Sequence, residues 1–171
     1  MPTRSEIQET LAASQENVLA YFTGLGPETL ERPCTASGTP GEAPWRVKDH
    51  FAHFTANEQN IQTLLRLLLT GGSLPDSLTT MSAEDRLAWS NQRNQTYVNA
   101  HRDDRMETLR EHLFLARQET LHLLEQFTDE QLAQPVPPSF PAKMNIGSLF
   151  AANAQHAAMH IAWIEEGLRQ G

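Results

Sequence analysis

Between Asn145 and Arg169 the apolar residues recur with the period of an α-helix. Ile146, Phe150, Ala154, Ala157, Ile161, Ile164 and Leu168 share one stripe, with Gln155, Glu166 and Arg169 opposite, so this stretch has to bury a face against other helices. That face is not wholly apolar. Asn153 and His160 lie within it and His156 at its edge. Side chains at i and i+4 stand about 5–6 Å apart, and imidazole binds zinc-like ions at about 2.0–2.1 Å, so His156 and His160 can share one ion. Hydrogen-bonded core histidines fit the same pattern. A buried polar ring left unpaired costs about 1–3 kcal/mol, so both rings need partners in either case.

Three further stretches carry helical stripes. Thr3 to Leu25 places Ile7, Leu11, Ser14, Val18, Phe22 and Leu25 on one face, beside Tyr21, and opens with Thr3 and Glu6 in a capping-box pattern. Trp45 to Thr70 buries Val47, Phe51, Phe54, Ile61, Leu65 and Leu68 and stops at Gly71-Gly72. Asp103 or Asp104 to Phe127 carries Leu109, Leu113, Ala116, Leu123 and Phe127, with His112 on the same stripe. Met81 to Ala100 is also helical, capped by Ser82 and Asp85, but has few apolar residues and reads as an outer, lid-like helix. Gly26 to Pro44 and Thr128 to Pro141 read as connections, the first with a turn of helix at Pro27 to Glu31.

The two connections resemble each other. PETLERP at Pro27–Pro33 matches DEQLAQP at Asp129–Pro135 in Glu28/Glu130, Leu30/Leu132 and Pro33/Pro135, and Phe51-Ala52 recurs later as Phe150-Ala151. The expectation is an all-α four-helix bundle built from two helix hairpins, with a short extra helix inserted between them. At 171 residues the chain fits a single domain spanning residues 1–171.

Charge and cysteine content exclude several classes. A net charge of −8 and the lack of any basic stripe argue against a nucleic-acid partner. No apolar run approaches a membrane span, and acidic residues interrupt the N-terminus, so a membrane partner and a leader segment are not expected. The lone cysteine, Cys34, suits a reducing compartment, and the expected location is cytoplasmic.

If the second and last helices run antiparallel, His50 and His53 reach the same end of the bundle as His156 and His160. Tyr21, Arg105 and His112 belong to that end too, and Trp45, His50, Asn57, Glu58, Arg105, His112, Asn153 and Tyr21 are the candidate pocket residues. Periodicity leaves the third ligand open, since His50 lies nearer the centre of the apolar face than His53. Glu58 within that face reads as a general base or as one half of an ion pair with an arginine. Asp49 reads either as an orienting carboxylate for His53 or as an acid at a helix N-terminus. His101 and His122 look solvent-facing.

The run WRVKDHFAH, Trp45 to His53, resembles the Trp-(Ser/Thr)-x-x-(Asp/Glu)-x-x-x-His opening of the second helix in the DinB/YfiT-like superfamily of four-helix-bundle metalloproteins. Arg46 stands where that family often has Ser or Thr, which weakens the helix cap. The resemblance implies a divalent transition metal, zinc or nickel, bound by His53, His156 and His160, and a homodimer. It further implies a metal-dependent enzyme that activates a low-molecular-weight thiol or water against a small-molecule electrophile, as an S-transferase or hydrolase of detoxification or stress. The alternative is a non-catalytic bundle that binds a metal or ligand in a structural or sequestering role.

Overall fold

The computed structural model describes residues 2–137 and 144–170. In chain order the elements are α1 (Arg4–Thr23), α2 (Pro27–Leu30), β1 (Pro33–Thr35), β2 (Trp45–Arg46), α3 (Val47–Leu69), α4 (Asp76–Thr79), α5 (Ala83–His101), α6 (Met106–Gln126), α7 (Asp129–Ala133) and α8 (Ile146–Gln170). The end of the second connection, read as reaching Pro141, lies outside the described residues.

Local chemistry sets the helix ends. Thr3 Oγ1 accepts from the Glu6 amide at 3.2 Å while the Glu6 carboxylate accepts from the Thr3 amide at 2.7 Å, completing the expected capping box. Arg46 has only donors and cannot cap α3; the Asp49 carboxylate instead accepts from the Arg46 amide at 2.8 Å. At the far end of α3, Gly71 takes φ +67°, a backbone conformation that side-chain-bearing residues rarely adopt, and the Gly72 amide donates back to the Leu67 carbonyl at 2.7 Å to close the turn.

The sequence repeat is a structural repeat. Each copy folds as a short helix, α2 or α7, followed by an antiparallel bridge to the residue that launches a long helix. Pro33 pairs with Arg46, and Pro135 with Asn145. The first amides of α3 and α8, Val47 and Ile146, both donate at 3.0 Å to the corresponding carbonyls of Arg32 and Gln134. Of the short β1–β2 ribbon, β1 lies within the first connection, while β2 takes Trp45–Arg46, read as the start of the second helix, which begins instead at Val47. Strand β1 is seated on α8 at Gly167, where a Cβ would come within 1.8 Å of the Cys34 carbonyl oxygen.

The four long helices α1, α3, α6 and α8 form the bundle, with α5 laid outside α3. Bonds from Arg117 to the Leu11 carbonyl and from Arg110 to Thr23 run α1 and α6 antiparallel. Contacts between Asn57 and Asn153 and between His50 and His160 run α3 and α8 antiparallel. Two apolar clusters fill the ends. One packs Ile7, Leu11, Leu65, Leu124, Phe127 and Phe150; the other packs Phe22, Val47, Phe51, Leu109, Leu113 and Ile164. Burial of a phenylalanine such as Phe51 contributes about 3–5 kcal/mol when measured against alanine. Of the nineteen residues of α5 only Gln95 and Val98 are buried, as its poor apolar pattern required.

Candidate metal centre

The antiparallel register of α3 and α8 brings three imidazoles to one point. His53 Nε2 lies 3.1 Å from His156 Nε2, and His156 Nε2 lies 3.1 Å from His160 Nε2. All three ligand atoms fall within 4.8 Å of one another. Around a tetrahedral ion with bonds of about 2.0–2.1 Å, neighbouring nitrogens sit about 3.3–3.4 Å apart, so the donor set fits a zinc-like ion with little movement. No fourth His, Cys, Asp or Glu joins this group among the described residues.

Burial holds the rings neutral, the protonation state a ligand requires. It pushes His156 down to about 4 and His160 to about 3, the latter helped by the neighbouring histidines, and holds His53 well below the ordinary value. His50 stands behind the centre, 1% exposed, with its Nδ1 2.8 Å from His160 Nδ1 and its Nε2 2.9 Å from Thr35 Oγ1. With His160 Nε2 turned to the cluster, His160 Nδ1–H donates to His50, whose own Nε2–H then donates to Thr35. Trp45 covers the cluster, its ring 4.9 Å from His53, and its indole N–H donates to Gln95 of α5 at 2.8 Å. His53 Nδ1 is buried without a partner among the described residues.

The DinB superfamily matches residues 60–164, well over half of the chain. This chain belongs to the DinB superfamily. The matched stretch contains His156 and His160 but begins after His53, so the place of His53 in the cluster is independent of the match. A crystal structure of an uncharacterised protein from Escherichia coli UTI89 shares the fold with a TM-score of 0.70 at 13% identity, over 98% of this chain and 94% of that one. No curated protein matches the chain.

In this DinB protein the histidines line an open cavity of about 790 Å³ between α3, α5, α8 and β1. Trp45, His50 and Asn57 line it as expected, together with Thr35, Asn91, Asn94, Met159 and Trp163. Glu58 and Asn153 sit deeper, in a buried network. Both oxygens of Glu58 are engaged: one by Arg117, Nε at 2.6 Å, the other by Thr120 and by Asn153 Nδ2 at 3.0 Å. Glu58 is therefore an arginine partner rather than a general base, and through Asn153 and Asn57, 2.6 Å apart, the pair braces the floor of the cavity.

Tyr21, Arg105 and His112 reach the expected end but do not line the cavity. Tyr21 packs beside Phe22, one residue and about 100° from the inward face of α1. Arg105 is the exposed N-cap of α6. His112 faces His101 at the α5–α6 corner, with ring centroids 5.0 Å apart. His101 is accordingly not solvent-facing: it is half-buried and bonded to Asp104 at 2.7 Å. Asp49 serves the helix start, bonding Arg46 and lying 3.4 Å from Arg102, and leaves His53 alone. Cys34 is a spectator thiol, pushed up to about 11 by burial and then by nearby Asp49. The sequence reading missed Gln95 and Thr35, polar residues in segments without an apolar pattern, for which no periodic signal exists.

Proposed function

We propose that this DinB superfamily member is a metal-dependent enzyme that activates a low-molecular-weight thiol or water for attack on a small electrophile. His53, His156 and His160 hold the divalent ion, zinc or nickel. The observation that carries the reading is the convergence of three neutral Nε2 atoms at the wall of an open cavity, with no fourth protein ligand among the described residues. Three protein ligands leave a position for solvent or substrate. When bound, the ion supplies Lewis acidity that lowers the pKa of a coordinated thiol or water.

The chain's own residues define what enters. Asn57, Ser90, Asn91 and Asn94 offer hydrogen bonds, while Leu87, Met159 and Trp163 give an apolar rim. Among the described residues Glu166 is the one carboxylate in the lining and no lysine or arginine joins it, which disfavours an anionic substrate. In the transfer, the thiol sulfur bonds to the electrophilic carbon, the leaving group departs with the bonding pair, and the thiol proton passes to solvent; with water in place of the thiol the product is an alcohol. A homodimer and a cytoplasmic location belong to the same proposal, the first checked by sedimentation and the second by fractionation.

Elemental analysis followed by a thiol-transfer and hydrolysis screen tests this. About one equivalent of ion and a turnover abolished by chelation, with helicity retained, is the expected result. One observation favours a second, non-catalytic reading, a bundle that sequesters a ligand: the buried carboxylate Glu58 is fully committed to Arg117 and its neighbours. Ligand binding without turnover, or unfolding on chelation, would decide for that reading.

A further inference from the structure

A second group of ligating side chains lies outside the cavity, where α5 passes into α6. His101 is the last residue of α5, Asp104 lies in the connecting turn, and His112 stands in the second turn of α6. The turn is closed by the Asp104 amide, which donates to the His101 carbonyl at 3.2 Å and so fixes the carboxylate beside the imidazole. His101 Nδ1 lies 2.7 Å from Asp104 Oδ2. One ligand atom from each of the three residues falls within a span of 4.8 Å. His112 Nδ1 is buried and has no hydrogen-bond partner among the described residues. A buried imidazole nitrogen without a partner costs free energy. Among the described residues the His112 ring is not held in place by a hydrogen bond at Nδ1, and a cation shared with the His101–Asp104 pair would give the ring a partner.

We infer that His101, Asp104 and His112 form a second divalent-cation site, separate from the three-histidine centre. Two imidazoles and one carboxylate suit a borderline ion such as zinc, cobalt(II) or nickel rather than calcium or magnesium, which prefer all-oxygen shells. His101 and Asp104, with side chains 26% and 33% exposed, leave room for solvent to complete the coordination, so this site is expected to bind more weakly than the buried one. Its position gives it a structural task. Helix α5 contributes Leu87, Ser90, Asn91 and Asn94 to the cavity wall yet buries only two of its residues. An ion clasping its C-terminal end to α6 fastens that wall.

The test is cobalt(II) titration of the full chain, read by its visible absorption and by calorimetric stoichiometry, with helicity checked by circular dichroism. A His53→Ala/His156→Ala/His160→Ala variant is expected to retain about one equivalent, and adding Asp104→Asn with His112→Gln is expected to remove it. A folded triple variant that binds no cobalt, or binding that survives the two added changes, overturns the site. Should the triple variant not fold, the parent and its His112→Gln variant decide: a fall from two equivalents to one supports the inference, and an unchanged stoichiometry overturns it. None of these readouts depends on catalysis at the first centre.

Discussion

The two ends of the α3–α8 pair are built on one plan and used for opposite purposes. Both helices start from the same short helix and bridge, and both carry Phe-Ala one turn in, as Phe51-Ala52 and Phe150-Ala151. Aligned on that phenylalanine, His53, His156 and His160 correspond to Ala152, Asn57 and Ile61. At one end these positions converge as three imidazoles; at the other, Ile61 and Ala152 join the apolar cluster around Phe150. The shared backbone device supplies the convergence, and side-chain identity decides what fills it, His53 and His160 at one end and Ala152 and Ile61 at the other, while Asn57, the counterpart of His156, lines the same cavity as the histidines.

Replacing His53, His156 and His160 by alanine breaks the difference most directly. Metal at this centre is expected to be lost completely while circular dichroism stays helical, whereas Ile61→Ala at the opposite end leaves that metal in place and lowers stability by about 2–5 kcal/mol in urea unfolding.

Acid separates the ends next. Unfolded imidazoles take up protons near the ordinary value of 6.5, while burial holds His50 and His156 neutral to about 4 and His160 to about 3. Between roughly those values the unfolded state binds more protons, so the stability of the metal-free protein falls as pH drops from about 6.5 towards 4. Urea midpoints against pH should show a much flatter profile in the triple alanine variant.

The two phenylalanines should behave alike, since both are fully buried. Phe51→Ala and Phe150→Ala are each expected to cost about 3–5 kcal/mol in denaturant unfolding, and a large inequality would mean that the two halves do not share one packing plan. The smallest effect is expected behind the centre. His50→Leu leaves His160 Nδ1 without its partner, which should weaken the ion by about 10–100-fold in a competitive chelator titration while keeping the stoichiometry.

The bundle was legible because four apolar stripes and a repeated connector each state a local fact that packing then obeys. His156 and His160 were legible as a pair because helical spacing alone brings them together. His53 was named by the resemblance of the Trp45–His53 run and not by periodicity: His50 and His53 both reach the cluster, and they differ in what their rings meet, His50 bonding Thr35 and His160 while His53 packs under Trp45 and faces His156. Tyr21 and Arg105 failed for a related reason. Periodicity says which end of a bundle a residue reaches, while one position of rotation, or a place in the cap rather than the helix, decides whether it looks inward. Glu58 and Arg117 lie 59 positions apart, and only the packing of α3 against α6 joins them.

Gly167 has no functional group, yet it sets how deep β1 sits on α8. That depth fixes the position of Thr35, Thr35 holds His50, and His50 holds His160. A bare backbone position thus works as a spacer shim for the candidate metal centre: a single added methyl there would lift the strand and travel through Thr35 and His50 to His160.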